Sequence, residues 1–350
     1  MGACQDATTV VKALALESGF ARVGIASAGP VGHFQEFLDW LALGHHADMA
    51  YLACNIALRQ RPDLLVPGAR SVICLAAGYA PAGPVRAGRG FVARFARGRD
   101  YHKLLKRRCE DLMGRLAAVA PAFAGRAFVD SAPVMERSLA AAAGLGWVGR
   151  NGCLIVPGMG SYVLLCEIVC NLPLAMDRPL EAACGDCRAC LSACPTGALL
   201  GEGLLDARRC VSYLTVENRG PIEPESREAV GERLFGCDTC QEACPHNRQP
   251  PPGDPELTGL RPPQPAEPTV EDVLGWDAAR WDAATRGYTR RRASFAMWMR
   301  NAILVAGNGG DASLCPLLRD VARREPAQQG MVEWALWRLA GGQAETSHPS

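Results

Sequence analysis

The sequence predicts a chain of three successive parts: an α/β domain, a small cysteine-rich domain and an all-α region at the end. Three observations support this fold class. Helix and strand patterns alternate through residues 1–175, half of the sixteen cysteines fall within residues 184–244, and only helical patterns follow residue 269. A chain of 350 residues is also long enough for two or three domains.

The α/β domain is expected over residues 1–175. Ser71–Ala77 is predicted to be a buried strand, because its residues are nearly all apolar and a Pro-Gly turn precedes them. Ala127–Asp130 is predicted to be a short strand that ends on a carboxylate, with a helix behind it. The other expected elements are helices at Val10–Leu16, Phe34–Leu43, Tyr101–Ala120 and Pro133–Ala143, and strands at Ala21–Ile25 and Ser161–Val169.

The last third of the sequence is predicted to be a linker, a helical region and a tail. Eight prolines within residues 249–268 indicate a linker over residues 251–268 and not the interior of a helix or sheet. Residues 269–340 form a small helical region of HEAT-like type, although two helix pairs are too few to define a repeat. Residues 341–350 are expected to be disordered. The helical patterns are Val270–Leu274, Phe295–Val305, Leu314–Arg323 and Met331–Leu339.

The charge balance excludes a globally basic nucleic-acid-binding protein, because 37 basic residues face 36 acidic ones. Local basic clusters remain, one between Arg86 and Arg108 and one between Arg286 and Arg300. The N-terminus lacks the pattern of a secretory signal, and the longest apolar stretch, Tyr162–Met176, contains Glu167 and a proline. We therefore expect a soluble cytoplasmic protein with no membrane attachment.

Eight cysteines follow the spacing of bacterial ferredoxins. The run at residues 184–195 is C-x2-C-x2-C-x3-C-P, and the run at 237–245 repeats it without the first cysteine, since Leu234 stands there. In such runs the cysteine before proline reaches the other cluster, and Cys210 is the expected substitute ligand. Structural zinc is the alternative, but it does not require this spacing. The predicted 4Fe-4S ligand sets are Cys184, Cys187, Cys190 and Cys244, and Cys194, Cys210, Cys237 and Cys240.

Asp130 has two interpretations from the residues alone. At a strand end, with a proline close to the start of the next helix, it suits a helix N-cap. At the mouth of an apolar pocket, a carboxyl group can instead act as a general acid. Glu136 and Arg137 are either a surface pair or a support for that site.

Longer motifs resemble those of the epoxyqueuosine reductases, the cobalamin-dependent iron–sulfur enzymes that complete queuosine in tRNA. The resemblance covers residues 1–310, and its combination of motifs is far more specific than the ferredoxin spacing. The motifs are Arg59–Ile73, Ala96–Lys103, Val129–Arg137, Ala143–Asn151, the first cysteine run, Cys210–Glu217, Arg219–Ile222 and Leu234–Gln241.

The resemblance implies a cobalamin-binding α/β domain, a ferredoxin-like two-cluster domain over residues 176–250 and a helical region that helps to hold tRNA. It implies an oxidoreductase that reduces epoxyqueuosine to queuosine at the wobble position of tRNA with a GUN anticodon, the last step of queuosine biosynthesis. Electrons would pass from an unidentified low-potential donor through two 4Fe-4S clusters to cobalamin, and Asp130 would supply a proton. The enzyme is expected to be a monomer.

Contacts to cobalamin and tRNA follow from the resemblance with less detail. No histidine stands in a motif typical of a cobalamin ligand, so no histidine is expected below the cobalt. The two basic clusters are the expected footprint of a phosphate backbone. The predicted cobalamin contacts are Arg59, Tyr101, His102, Arg150 and Asn151, and the predicted tRNA contacts are Arg97, Arg99, Arg290, Arg291 and Arg292.

Three other functions fit parts of the sequence. A cobalamin-dependent enzyme like the reductive dehalogenases would share both cofactors and act on a small molecule. A two-cluster electron-transfer ferredoxin would need no substrate pocket and would tolerate Asp130→Asn. A zinc-bound RNA-binding module would lack the broad visible absorption of iron–sulfur clusters.

Overall fold

A computed structural model describes residues 2–80, 90–258 and 268–342 of the chain. These residues form two compact units. The first unit comprises the described residues of 1–83, 98–208 and 239–259, and the second comprises those of 84–97, 209–238 and 260–350. The division differs from the predicted boundaries at 175, 250 and 268, because residues 239–259 belong to the same unit as the N-terminal segment. Residues 259–267 of the predicted linker and 343–350 of the predicted tail lie outside the described residues.

A four-stranded sheet forms the centre of the first unit. Its strands lie in the order Arg22–Ser27, Ser71–Gly78, Val163–Cys170 and Gly125–Phe128, and all neighbours are antiparallel. Each strand was expected, with ends that differ by at most two residues. Ser71–Gly78 is buried along its whole length, which explains why its sequence is almost entirely apolar. Asp130 lies in the loop that follows Gly125–Phe128, two residues beyond the strand end.

Helices cover both faces of this sheet. On one face, Leu139 and Ala140 of helix Glu136–Ala142 pack against apolar strand residues that include Cys74 and Val169. On the other face, Cys109 of helix Tyr101–Val119 contacts Cys166. Gly24 permits the close approach of helix Glu136–Ala142, because a Cβ at residue 24 would lie 2.1 Å from the Ala143 carbonyl oxygen at the end of that helix. The sheet is therefore packed against a helix on each of its faces.

Shorter elements complete the first unit. Pro255–Thr258 forms a helical turn inside the predicted linker, so the expectation of no helix is wrong there; a proline suits the first helical position. The α-helices of this unit are Gly2–Glu17, Phe34–Ala42, Ile56–Gln60, Tyr101–Val119, Glu136–Ala142, Ala189–Ala193, Thr239–Glu242 and Pro255–Thr258. The small hairpins pair Trp147–Val148 with Leu154–Ile155, and Leu199–Gly201 with Leu204–Leu205.

The second unit is helical around one buried helix. Every residue from Met297 to Gly307 of helix Phe295–Gly309 is buried, and Trp298 stacks on Phe235 with ring centroids 5.6 Å apart. Asn301 donates hydrogen bonds to two backbone carbonyls, which satisfies its polar group inside the core. The other helices are Val211–Val216, Pro224–Val230, Val270–Leu274, Ala278–Thr285, Cys315–Arg324 and Gln329–Leu339; strands Phe91–Val92 and Arg233–Phe235 pair in parallel.

The four helical patterns predicted after residue 269 all correspond to helices, and Ala278–Thr285 is an additional one. Among the described helices, none combines the length and apolar character that crossing a bilayer requires.

Candidate active site and cluster ligands

Asp130 carries its carboxylate on a left-handed turn, with φ of 56°. Its Oδ2 accepts a hydrogen bond from the Tyr101 hydroxyl at 2.8 Å and lies 3.0 Å from His102 Nε2. Its backbone N–H donates to Glu136 Oε1 at 2.7 Å. The following helix starts at Glu136 with Met135 at the N-cap, so Asp130 does not cap it. A residue in a sparsely populated conformation, held by several bonds, is typical of a functional position.

His102 lies between two carboxylates. Its Nδ1 is 2.7 Å from Asp100 Oδ1, and Asp100 also caps helix Tyr101–Val119 by accepting the His102 N–H. Burial opposes a charge on the ring, but the hydrogen bonds to Asp100 and Asp130 outweigh it and raise the pKa of His102 to about 9. The imidazole is therefore protonated at neutral pH. Tyr101 stays neutral, because burial and the nearby Asp130 raise the pKa of its hydroxyl.

Two further carboxyl groups lie behind Asp130. Burial and the charge of Asp130 raise the pKa of Glu136 to about 7. Glu167, on strand Val163–Cys170, is completely buried, and neither carboxyl oxygen has a hydrogen-bond partner among the described residues. Burial, together with Glu136, raises the pKa of Glu167 well above its usual value. Glu167 is therefore neutral at pH 7, because an unpaired ionised carboxylate cannot be buried at acceptable cost.

A cavity of about 260 Å³ opens beside Asp130 in the first unit. Arg137 borders it and donates to the Gly152 carbonyl. The lining combines an apolar floor with acids and hydroxyls, and no histidine belongs to it within the described part of the chain. The lining residues are Tyr79, Tyr101, Asp130, Glu136, Arg137, Gly152, Cys153, Leu154, Ser161, Val163, Leu164, Leu165 and Gln241.

The structure brings the first predicted cysteine set together. Cys190 interacts electrostatically with Cys184 and Cys244, and Cys244 interacts with Cys184 and Cys187. Burial raises the pKa of the Cys190 and Cys244 thiols. No three His, Cys, Asp or Glu side chains of the described residues form a single-ion site. A 4Fe-4S cluster distributes its four thiolates over its corners, so this donor set fits a cluster.

The second predicted set is divided between the two units. Cys194 and Cys240 belong to the first unit, and Cys210 and Cys237 belong to the second. Burial raises the pKa of Cys194, but hydrogen bonds from the Thr196 hydroxyl and from backbone N–H groups outweigh it and lower that pKa overall. A stabilised thiolate at Cys194 is suited to metal ligation.

Of the predicted cobalamin contacts, Tyr101 and His102 lie at the Asp130 carboxylate. Arg59 is only 9% exposed and donates to the carbonyls of Tyr51 and Cys54, so its guanidinium does not line the cavity. Arg150 bonds to the Gly185 carbonyl at 3.1 Å and to Glu202 at 2.5 Å, beside the first cysteine run. Asn151 is buried and accepts the N–H of Cys153, which shapes the loop next to the cavity.

The predicted tRNA contacts differ in their environment. Arg290 is 2% exposed and donates to the Ala284 carbonyl, so the prediction of a phosphate contact is wrong for this residue. Arg291 pairs with Asp282 and Arg292 with Glu217, both at 2.7 Å, and each stays exposed. Arg97 is partly buried and donates to the Val92 carbonyl. Arg99 is exposed.

The first unit also presents three further basic side chains of the predicted cluster between Arg86 and Arg108. Lys103, Lys106 and Arg107 are exposed on one face of helix Tyr101–Val119, three and four residues apart. The same helix begins with Tyr101 and His102 at the carboxylate of Asp130. The basic face and the two side chains that contact the Asp130 carboxylate are therefore parts of one helix.

Some residues at the site were not singled out in the sequence analysis. Glu167 had a signal, since it is the acidic residue inside an otherwise apolar strand. Gln241 had another, since it stands between two predicted cluster cysteines. Tyr79 and Ser161 offered none.

Two family models match the chain. The family described as epoxyqueuosine reductase QueG matches residues 59–131, which include Asp130. The family described as a 4Fe-4S double cluster binding domain matches residues 183–247, which include all eight predicted cluster cysteines.

Individual relatives match almost the whole chain. An epoxyqueuosine reductase from Pseudomonas aeruginosa is 40% identical over 335 residues, covering 92% of this chain and 91% of the relative. A solved epoxyqueuosine reductase with an epoxyqueuosine-modified tRNA-Tyr stem loop is 29% identical, with a TM-score of 0.85 and coverage of 95% and 89%. One from Bacillus subtilis, with its aspartate-bearing catalytic loop swung out of the active site, is 29% identical with a TM-score of 0.84, covering 95% and 90%.

Proposed function

The chain belongs to the epoxyqueuosine reductase family, and from this premise we propose that it reduces epoxyqueuosine to queuosine at the wobble position of tRNA. The observation that carries the proposal is the placement of Asp130 at the cavity, bonded to Tyr101 and next to His102. The relative from Bacillus subtilis also has a catalytic loop with an aspartate.

The reaction needs electrons and protons in equal number. Removal of an epoxide oxygen to leave a carbon–carbon double bond consumes two electrons and two protons and releases water. The oxygen leaves more easily when it is protonated, so an acid beside the cavity is required. Asp130 is our proposed proton donor.

His102 is suited to supply the proton that Asp130 passes to the leaving oxygen. Its Nε2 is 3.0 Å from Asp130 Oδ2, and its pKa of about 9 keeps the ring protonated at neutral pH. Asp100 fixes the ring through Nδ1. Tyr101 donates to the same Asp130 oxygen and holds the carboxylate in place. We therefore propose a chain of proton transfer from His102 to Asp130 to the leaving oxygen.

The cysteines are proposed to hold two 4Fe-4S clusters that supply electrons. Their proximity supports Cys184, Cys187, Cys190 and Cys244 as one ligand set. The spacing alone supports Cys194, Cys210, Cys237 and Cys240 as the other. The physiological electron donor is an unidentified low-potential protein or small molecule.

Cobalamin is the proposed second cofactor, and when bound it would supply a strongly reducing cobalt centre for C–O cleavage. The cavity fits one edge of a planar macrocycle that carries amide side chains. Leu154, Val163 and Leu165 offer an apolar surface, while Ser161 and Gln241 offer polar partners. We propose that these cavity residues, rather than Arg59, hold that edge.

We propose that tRNA phosphates contact the exposed basic face formed by Arg99, Lys103, Lys106 and Arg107. Lys103, Lys106 and Arg107 lie on the helix that positions Tyr101 and His102, and Arg99 lies just before its start, so a bound backbone would lie close to the acid. Phosphate contacts of this kind position a nucleic acid without reading its sequence. The proposed site of action is the cytoplasm, and the proposed form is a monomer.

The proposal is tested with Asp130→Asn, which keeps the size of the side chain and removes its acid. Protein reconstituted with iron, sulfide and cobalamin is reduced with dithionite and supplied with an epoxyqueuosine-containing anticodon stem loop. Mass spectrometry of the nucleosides should show queuosine from the wild type and a loss of at least about a hundredfold in rate for the variant. Asp39→Asn, on the exposed helix Phe34–Ala42, is the matched control.

Absence of queuosine from a wild type with full cluster and cobalamin content would refute the substrate assignment. A reducible carbon–halogen substrate would then be tested. Full activity of Asp130→Asn would refute only the role of the acid and would leave the substrate assignment standing.

A further inference from the structure

We propose that Gln241 binds the ligand of the cavity beside Asp130, by donating a hydrogen bond from its side-chain Nε2 to an oxygen of that ligand. The inference deepens the proposed function and rests on it. Gln241 lies on helix Thr239–Glu242, between the predicted cluster ligands Cys240 and Cys244, and it lines the cavity. It would therefore connect a cluster-binding loop to the reaction site.

A chain of buried hydrogen bonds fixes the orientation of the Gln241 amide. The Ser161 N–H donates to Asn247 Oδ1 at 2.7 Å, so Asn247 must present Nδ2 as its donor. This Nδ2 donates to Ser161 Oγ at 2.8 Å and to the Gln241 backbone carbonyl at 2.8 Å. The Ser161 hydroxyl, which has accepted that bond, donates to Gln241 Oε1 at 3.0 Å.

Tyr79 supplies a second donor to the same oxygen, at 3.4 Å. Both donors are hydroxyl groups, so Gln241 Oε1 faces them and Nε2 is turned away. The assignment of oxygen and nitrogen in this amide therefore follows from a backbone N–H, whose direction is fixed. Rotation of the amide by 180° would bring Nε2 against Ser161 and Tyr79, and both hydroxyl bonds would have to reverse.

The remaining Nε2 has no partner among the described residues. Gln241 is 9% exposed, Asn247 8% and Ser161 4%, so bulk water does not surround this network. An amide N–H that faces a largely enclosed cavity is normally satisfied by a ligand or an ordered water. The cavity is the space that Nε2 adjoins.

The partner must be a hydrogen-bond acceptor, and oxygen is the acceptor that both proposed ligands offer. Under the proposed function two molecules bring such oxygens. Cobalamin carries amide carbonyls around its ring, and the epoxyqueuosine ring carries hydroxyl and epoxide oxygens. Both present the same chemistry to Nε2, and two separate affinity measurements distinguish them.

The test uses Gln241→Met, which keeps the length of the side chain and removes the donor. Gln241→Glu is the second variant, because its carboxylate can still accept from Ser161 and Tyr79 but presents an acceptor to the cavity. Gln329→Met, at an exposed position, is the matched control. Cobalamin affinity is measured by absorbance titration of cluster-loaded protein, and KM for the stem loop is measured with cobalamin saturating.

Both variants are expected to weaken one of the two ligands about tenfold, the effect of one lost hydrogen bond. A higher Kd for cobalamin assigns the oxygen to cobalamin, and a higher KM at unchanged cobalamin Kd assigns it to the substrate. Ser161→Ala removes one of the two hydroxyl groups that orient the Gln241 amide. It should lower the affinity for the same ligand by a smaller factor. Iron and sulfide content should equal that of the wild type in all variants.

The inference is overturned if cluster-loaded Gln241→Met and Gln241→Glu match the wild type in both affinities. It is also overturned if the variants lose clusters while the loaded fraction keeps wild-type affinities, because Gln241 would then serve only the cluster loop. A wild type that makes no queuosine contradicts the proposed function instead. Cobalamin titration, which needs no turnover, still tests Gln241 in that case.

Discussion

The imidazole Nε2 of His102 lies 3.0 Å from the carboxylate Oδ2 of Asp130. Because Asp100 holds the opposite ring nitrogen at 2.7 Å, one histidine links a carboxylate at the helix N-cap to the carboxylate at the cavity. This geometry stabilises the imidazolium form of His102, which can donate a proton to Asp130. The pH dependence of the reaction should therefore report the titration of His102.

His102→Asn is expected to lower the rate of the chemical step by roughly tenfold to a hundredfold, because Asp130 loses its proton source. Wild-type activity should fall as pH rises through about 9, where His102 loses its proton, and the variant should lack this decline. Single-turnover rates of the reduced enzyme between pH 6 and 10 test both statements. His33→Asn, at an exposed histidine, is the control. A decline near pH 9 that persists in His102→Asn would assign it to another group.

The same pKa shift affects folding stability. The pKa of His102 rises from its ordinary 6.5 to about 9 on folding, so the native state holds the proton more tightly. The resulting stabilisation is fully present below pH 6.5 and is lost as pH rises through about 9.

Glu167→Gln should make the protein more stable at alkaline pH. Native Glu167 is buried and protonated, whereas unfolded Glu167 ionises near its ordinary pKa of 4.5. Wild-type stability therefore falls as pH rises above 4.5, by up to about 1.4 kcal/mol per pH unit, until native Glu167 also ionises. The glutamine variant lacks this dependence, so the difference in free energy of unfolding should increase from pH 5 to pH 8. Urea denaturation across that range measures it, and a constant difference would show that Glu167 is ionised in the native state.

The order of elements along the chain could be predicted from sequence because its signals are local. Ser71–Gly78 is almost entirely apolar since helices cover both faces of its sheet. The cysteine spacing itself predicts which thiols share a cluster. The strand before Asp130 was predicted, but it ends at Phe128, so Asp130 lies in the following loop and not at the strand end.

Contacts between distant residues could not be predicted in this way. Ser161 and Gln241 are 80 residues apart, and nothing in either local sequence indicates their hydrogen bond. Arg290 stands in a run of three arginines, which is typical of an exposed basic patch. The structure buries it because the Ala284 carbonyl and the Tyr288 ring satisfy its guanidinium inside the second unit. The two units could not be anticipated either, since residues 239–259 belong with the N-terminal segment.

Cys184→Ala is expected to remove one cluster and leave the other. Iron and acid-labile sulfide should fall to about half of the wild-type content, because one of two 4Fe-4S clusters loses a ligand. Cys54→Ala, at an exposed cysteine outside both runs, should retain full content. Iron analysis of anaerobically reconstituted protein and its visible absorbance provide the measurement. Unchanged iron in Cys184→Ala, or zinc in place of iron in the wild type, would contradict the predicted ligand set.

Reversal of charge on the exposed basic face should weaken tRNA binding, whereas loss of Arg290 should not. In Lys103→Glu combined with Lys106→Glu, each lost phosphate contact lowers the steepness of the salt dependence by about one, and affinity at moderate salt should fall at least about tenfold. Arg22→Glu with Arg126→Glu, on exposed positions of the two edge strands, is the control of equal charge change.

Arg290→Ala should instead lower the unfolding temperature, because it leaves a void and an unsatisfied carbonyl in the core, while folded protein keeps wild-type affinity. Fluorescence anisotropy with a labelled stem loop across salt concentrations separates the two effects. Equal binding by the lysine variant and its control would place the phosphate contacts on another surface.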